Sequence, residues 1–294
     1  MADNFLKVLK KWKKKAIINL TGGEPFLKPE LFPLLEYLDG QSQVKEIGII
    51  TNGTLLNKET LAKLKGIKKL NEIKLSLEAA DEKINDSIRG KGTFSATLKA
   101  IELLRKQKRM EITLMFTILK RNLKEVSKVL SFAQEKKVGG VILERFIPWG
   151  RGRKIEKEVL TKEDWDLFLN SLSQFLEIPF DKNIAGYKAF WIRFKKDSFR
   201  LLGAPCIAAE DGICIMPNAD VFPCRRFNLK IGNLLKEPLD KIYQGSKVIN
   251  DLKNRDKLKG KCKTCSIKTC KGCRALAYAL TGDYLAEDLQ CDIQ

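Results

Sequence analysis

The sequence contains no histidine at all. That single absence removes the Ser-His-Asp triad, the Cys-His nucleophile, the HExxH zinc site and every Cys/His zinc finger. Cysteine is missing from the first 205 residues, so thiol chemistry is confined to the C-terminal third. Long apolar runs are missing too: stretches such as Ala16 to Leu20 are far too short to span a bilayer or form the core of a secretory signal. A soluble, cytoplasmic chain with no membrane partner is therefore expected. Hydrophobic residues still make up 44% of the 294 positions, enough for a real core and about two domains.

Anionic side chains are the scarcer sign, 36 Asp and Glu against 55 Lys and Arg, for a net charge of +19. Such a field attracts polyanions. The cations are nevertheless spread along the chain, and the one dense run, Lys10 to Lys15, has only Trp12 as an aromatic neighbour. This reads as a solvated, lysine-rich surface rather than a nucleic-acid footprint.

All eight cysteines, Cys206, Cys214, Cys224, Cys262, Cys265, Cys270, Cys273 and Cys291, follow residue 205. Their spacing is Cys-x7-Cys-x9-Cys, a long gap, then Cys-x2-Cys-x4-Cys-x2-Cys-x17-Cys, or two sets of four thiolates. Four thiolates hold a zinc ion or a 4Fe-4S cluster. A disulfide framework is the poorer reading in a reducing compartment. The cysteines alone leave zinc and iron-sulfur open.

Before them, strand-like runs alternate with amphipathic helical patterns. Strands are expected near Ala16 to Leu20, Glu46 to Ile50, Glu72 to Leu77, Glu111 to Ile118 and Gly140 to Phe146. Helices are expected at Glu30 to Leu38, Lys58 to Leu64, Phe94 to Lys106, Lys124 to Lys136 and Lys162 to Phe175. Repeated βα units mean a parallel sheet with its chemistry at the carboxyl ends of the strands. Those ends carry Thr21-Gly22-Gly23-Glu24-Pro25, Thr51-Asn52-Gly53 and Ser76-Leu77-Glu78, with Asp86-Ser87-Ile88-Arg89-Gly90 expected in the loop before the next helix. Paired glycines let backbone approach a ligand, and Glu24 offers an acceptor to a cation. Each motif taken singly also reads as an ordinary turn, a backbone-bonded serine or a surface arginine.

In this order, Gly22-Gly23-Glu24-Pro25, Thr51-Asn52-Gly53, Ser76-Leu77-Glu78 with Ile88-Arg89-Gly90-Lys91-Gly92, and Ile147-Pro148-Trp149-Gly150-Arg151-Gly152 resemble the strand-end motifs of the radical SAM superfamily. The C-terminal cysteines, with Cys273-x17-Cys291 and Gly232-Asn233-Leu234, resemble its SPASM extension. The resemblance implies an α/β fold, a partial (β/α)6 radical SAM barrel over residues 1–200, then a cysteine-rich SPASM domain over residues 201–294. It implies two auxiliary 4Fe-4S clusters, one on Cys206, Cys214, Cys224 and Cys273, the other on Cys262, Cys265, Cys270 and Cys291. S-adenosyl-L-methionine would meet Gly22, Gly23 and Glu24 through its amino group, Ser76 and Arg89 through its carboxylate or ribose, and the strand end near Ile147 through adenine. The activity implied is modification of a peptide, protein or cofactor precursor by a 5′-deoxyadenosyl radical, with a peptide or protein as the first substrate class expected and an electron donor as second partner. The competing class is a non-catalytic iron-sulfur electron carrier or a zinc or nucleic-acid-binding protein.

The same resemblance exposes departures. Superfamily members carry a Cys-x3-Cys-x2-Cys loop after a first strand, and only 21 residues, none a cysteine, precede Gly22. The expectation is a barrel missing its first strand, with Asp3 to Lys14 as the helix after the cluster loop. The chain as given would then not cleave SAM, and a third 4Fe-4S cluster would require that loop to be supplied. The intervals Cys265 to Cys270 and Cys270 to Cys273 are each one residue shorter than the usual SPASM spacing. Arg225 stands where sulfatase-maturing members carry an acidic base, which argues against that activity.

Overall fold

The computed structural model describes residues 1–179, 184, 186–196, 198–204 and 206–291. Five strands, β1 (Ala16–Leu20), β2 (Val44–Thr51), β3 (Leu70–Ser76), β4 (Glu111–Ile118) and β5 (Gly140–Arg145), pair in sequence order and all in parallel. A helix precedes β1 (α1, Ala2–Lys11), and helices return the chain after each strand: α2 (Leu31–Asp39), α3 (Lys58–Leu64), α4 (Glu82–Arg89) with α5 (Thr93–Arg105), α6 (Val126–Glu135) and α7 (Lys162–Leu176). Apart from α4, these helices stack apolar residues on one face of the sheet. On β3 that face is Leu70, Ile73 and Leu75, on β4 Ile112, Leu114 and Phe116, and on β5 Val141 and Leu143, all in one buried cluster.

A parallel sheet covered on both faces reads as continuous apolar sequence. These strands alternate instead. Glu72, Lys74 and Ser76 on β3, Glu111, Thr113 and Thr117 on β4, and Glu144 on β5 occupy the face opposite the helices. There Lys74 Nζ lies 3.0 Å from Glu72 Oε2 and donates to Asn19 Oδ1 at 2.6 Å. The sheet thus presents one polar face and one core face, and β1, with Ile17 59% exposed, forms its edge.

Two features depart from the sequence reading. The segment with Asp86 and Arg89 is helical rather than loop: Asp81 accepts from Ile84 N at 2.9 Å as N-cap, and Gly90 ends α4 with φ +109°. The sheet also continues past the parallel strands. Here β6 (Ala189–Lys195) and β7 (Ser198–Ala204) add antiparallel, so the sheet runs across position 200.

The C-terminal part has little regular structure. A three-stranded antiparallel ribbon joins β8 (Cys214–Ile215), β9 (Asp220–Phe222) and β10 (Gly232–Asn233), followed by α8 (Leu239–Gly245), α9 (Lys247–Lys253), α10 (Lys261–Thr264) and α11 (Arg274–Thr281). The first helix docks on it: Val8 packs with Val221, Leu234 and Leu239, while Asn4 Nδ2 donates to Leu234 O at 2.8 Å. No helix among the described residues is long and apolar enough to cross a membrane.

Candidate functional site

The carboxyl ends of β1 to β4 are tied together by two buried glutamates. Glu24, 8% exposed, accepts from Thr51 Oγ1 (2.7 Å), Asn52 N (2.8 Å) and Phe26 N (3.2 Å). Its carboxylate therefore fixes the β1 and β2 loops to each other and keeps little spare acceptor capacity. Gly22 and Gly23 stand on the loop it fixes. Neither has positive φ, and a Cβ on either would meet nothing within 4 Å. Nothing within the protein demands glycine there, so the bare backbone is free to be approached from outside.

Glu78 organises the next two strand ends. It accepts from Arg89 Nη1 (2.7 Å) and Thr117 N (2.5 Å), its own N–H donates to Asn85 Oδ1 (3.0 Å), and Asn122 Nδ2 donates to its carbonyl (3.0 Å). Burial pushes its carboxyl above the ordinary value, opposed by the Arg89 charge and by the Thr117 and Arg89 hydrogen bonds. Arg89 is thus held in place through Nη1 and keeps donors to spare, with its side chain 26% exposed. Ser76, at the end of β3, is half-buried. Ile147 follows β5 directly and is buried among Ala208, Phe227, Leu252 and Cys273, so it links the sheet to the C-terminal core.

The eight cysteines fall into two quartets. Cys206 and Cys224 pack around Cys273 in the C-terminal core. Burial, with Cys273 and Cys224 beside it, pushes the Cys206 thiol up to about 11. Cys214, on β8, is raised by burial and by Cys224. Cys262, Cys265, Cys270 and Cys291 line a separate small hollow together with Lys261 and Gly272. None of the eight cysteines is joined in a disulfide.

Both quartets are surrounded by donors. Cys262 Sγ accepts from Asp288 N (3.3 Å) and Arg274 Nη2 (3.5 Å), and Cys270 Sγ from Gly272 N (3.3 Å). Beside the first quartet, Arg225 is hydrogen-bonded to Glu144 on the polar face of the sheet, and Arg226 Nη1 donates to Arg145 O at 3.0 Å. Burial opposes ionisation of Glu144, but Arg226 and Arg225 hold its carboxyl down to about 2.

The donor set suits iron-sulfur clusters. It is all thiol, four per group and free of histidine, with N–H groups aimed at sulfur. Among the described residues, no group of cysteine and carboxylate side chains is gathered tightly enough to hold a single metal ion. Sequence reasoning singled out the cysteines, Gly22 to Glu24, Ser76, Arg89 and Ile147 as candidates. It missed Asp288, Arg145 and Arg274, whose only sequence signal is charge in otherwise apolar or cysteine-rich surroundings.

Comparison with known proteins gives two family matches, the radical SAM superfamily over residues 2–133 and the SPASM iron-sulfur cluster-binding domain over residues 206–274. The AdoMet-dependent heme synthase of Methanosarcina barkeri is 32% identical over 301 residues, covering 94% of this chain and 82% of that protein. The antilisterial bacteriocin subtilosin biosynthesis protein AlbA of Bacillus subtilis is 26% identical over 76% of this chain and 48% of its own length. Among solved structures, Streptococcus suis SuiB bound to S-adenosylmethionine superposes with a TM-score of 0.71 at 18% identity, covering 99% of this chain and 70% of that one. This last likeness is one of fold.

Proposed function

The chain belongs to the radical SAM superfamily and carries a C-terminal SPASM domain, and from that premise we propose that it serves SAM-dependent radical modification of a cofactor precursor of the heme type. The observation that carries the substrate class is the 32% identity to a heme synthase across 94% of the chain. A peptide substrate is the second reading, favoured by the similarity to AlbA.

In this reading the first quartet, Cys206, Cys214, Cys224 and Cys273, and the second, Cys262, Cys265, Cys270 and Cys291, each hold an auxiliary 4Fe-4S cluster. SAM lies over the bare backbone of Gly22 and Gly23. Glu24 keeps that loop in position. Arg89, braced by Glu78, offers its unused donors to the SAM carboxylate, as an arginine fork suits. Ser76 adds a hydroxyl at the end of β3, and the strand end at Ile147 walls the adenine side. When bound, the cofactor set supplies the one-electron chemistry that makes a hydrogen-abstracting radical. The chain's part is to bind, orient and exclude water.

Residues 1–294 contain no Cys-x3-Cys-x2-Cys loop, so SAM cleavage is expected only when such a loop is supplied. The test has three arms. Anaerobic reconstitution should give iron and acid-labile sulfide for two clusters; two tightly bound zinc ions without sulfide would overturn the cluster reading. Calorimetry should show SAM binding that is lost in the Glu24→Ala/Arg89→Ala double variant. With dithionite, 5′-deoxyadenosine should form only when the loop is supplied, and turnover by residues 1–294 alone would refute that part. Substrate class follows from offering the loop-supplied protein an iron-porphyrin precursor and a peptide side by side.

A further inference from the structure

Arg255 lies in a short 3-10 turn (Arg255–Lys257) whose first N–H groups are capped by Asn254. In sequence it is one more cation in a lysine-rich stretch. In the structure its guanidinium is surrounded by backbone carbonyls. Nη1 donates to Ile267 O (3.0 Å), Lys268 O (3.1 Å) and Cys270 O (2.6 Å), and Nη2 to Cys262 O (3.1 Å) and Cys265 O (2.8 Å). Three of these five acceptors belong to cysteines of the second quartet.

Two physical points give this arrangement its meaning. The segment that carries Cys262, Cys265 and Cys270 has only the four-residue α10 as regular structure, so its carbonyls lack ladder partners and need donors from elsewhere. One planar fork with fixed donor directions supplies them and thereby sets the relative placement of three cysteines. The second point is charge. Among the described residues no carboxylate pairs with Arg255, and its Nε is enclosed without a partner. A half-buried cation with only carbonyl dipoles around it calls for negative charge nearby, and the cysteines whose carbonyls it grips would supply that charge once they carry a thiolate-bound cluster.

We propose that Arg255 is the clamp of the second quartet: it gathers Cys262, Cys265 and Cys270 before any metal arrives, and is the counter-charge of the anionic cluster that binds there. The second half rests on the cluster reading given above; the first half does not. Gly272 fits the same picture. Its φ is +67°, and a Cβ there would lie 2.9 Å from Cys262 Sγ, so the quartet is closed on that side by bare backbone.

The experiment uses the full chain with Arg255→Met and Arg255→Lys. In the metal-free protein, alkylation followed by mass spectrometry reads each cysteine separately. Arg255→Met should speed labelling of Cys262, Cys265 and Cys270 about tenfold, the loss expected from removing one charged multi-bond anchor. Cys206, Cys214 and Cys224 should keep their rates and so report an intact fold. Arg255→Lys, which keeps charge but loses the fork, should label at intermediate rates. In the reconstituted protein, Arg255→Met should lose about half of the iron and sulfide, with any remaining second cluster at a more negative midpoint potential. Unchanged alkylation of the three cysteines in both variants would overturn the clamp. Wild-type protein that takes up no cluster would sink the cluster reading while the alkylation rates still decide the clamp. Should Arg255→Met fail to fold, Arg255→Lys alone carries the test, since wild-type rates there would refute it.

Discussion

Arg145 and Asp288 stand 143 residues apart in the chain and meet as a wholly buried pair, Nη1 to Oδ2 at 2.8 Å and to Oδ1 at 3.1 Å. The same carboxylate accepts from Cys273 N (2.8 Å), and the N–H of Asp288 donates to Cys262 Sγ. One residue therefore touches a cysteine of each quartet and the end of β5. Lys188 Nζ lies 3.7 Å away as a second cation, and Arg145 stacks on Trp165 of α7 at 3.9 Å.

Asp288→Ala leaves Arg145 and Lys188 buried without their anion. Breaking a buried pair from one side costs about 3–5 kcal/mol, a large part of the stability of an ordinary domain. Urea unfolding should show that loss, and the paired change Arg145→Met/Asp288→Leu should recover a good part of it. A single-variant cost below about 1 kcal/mol would contradict the buried-pair account.

Glu24→Ala removes three acceptor contacts at once and leaves Asn52 N and the Thr51 hydroxyl without their partner. The expected cost is about 1–3 kcal/mol in stability, together with weaker SAM affinity, because the Gly22-Gly23 backbone loses its tether to β2. Glu24→Gln keeps one acceptor oxygen and should fall between. Equal SAM affinity in all three proteins would show that loop placement does not limit binding.

The Arg89–Glu78 pair makes a pH-dependent prediction. Burial already raises the Glu78 carboxyl above its ordinary 4.5; Arg89→Met removes the opposing charge and raises it further. A carboxyl raised in the folded state stabilises the fold most below its unfolded value and loses that contribution as pH climbs through the folded one. The variant should therefore lie close to wild type near pH 4 and be about 1–3 kcal/mol less stable by pH 8. A deficit that shrinks as pH rises would be the wrong sign.

Much of this was legible in the sequence because the strands alternate. Leu70, Ile73 and Leu75 against Glu72, Lys74 and Ser76 place β3 and its two faces, and β1 falls on Ala16–Leu20 as expected. In space Cys262, Cys265, Cys270 and Cys291 line one hollow, and Cys206 and Cys224 pack on the core cluster that contains Cys273. What stayed hidden depends on long-range pairing. Glu24 reads as an acceptor for a ligand, yet its acceptors are largely taken by Thr51, Asn52 and Phe26. The eight-residue α4, capped by Asp81, carries Asp86 and Arg89 on a helix where a loop was expected. Asp288 and Arg255 look like solvated charges until the fold brings their partners to them.

Asp251 offers the opposite titration. Its side chain is 2% exposed and accepts from Lys247 Nζ (2.6 Å), Lys257 Nζ (2.5 Å) and Tyr284 Oη (2.7 Å), which joins α9 to the turn after it and to the chain after α11. The hydrogen bonds from Lys247, Lys257 and Tyr284 hold its carboxyl well below the ordinary 3.8. A carboxylate depressed in the folded state contributes stability that is fully present above the unfolded value and is lost as pH falls through the folded one. Both lysines are solvent-exposed and screened by salt, so the whole arrangement is expected to be worth about 1–2 kcal/mol at neutral pH. Asp251→Asn should show that deficit unchanged from pH 8 down to pH 5. Below the ordinary carboxylate range the two proteins should converge, because wild type gives up the increment and the amide has none to lose. Raising the salt concentration should shrink the lysine share and leave the Tyr284 hydrogen bond's share in place. Urea titrations of both proteins across this range read the difference directly, and a gap that stays constant down to pH 3 would show that Asp251 acts through packing alone.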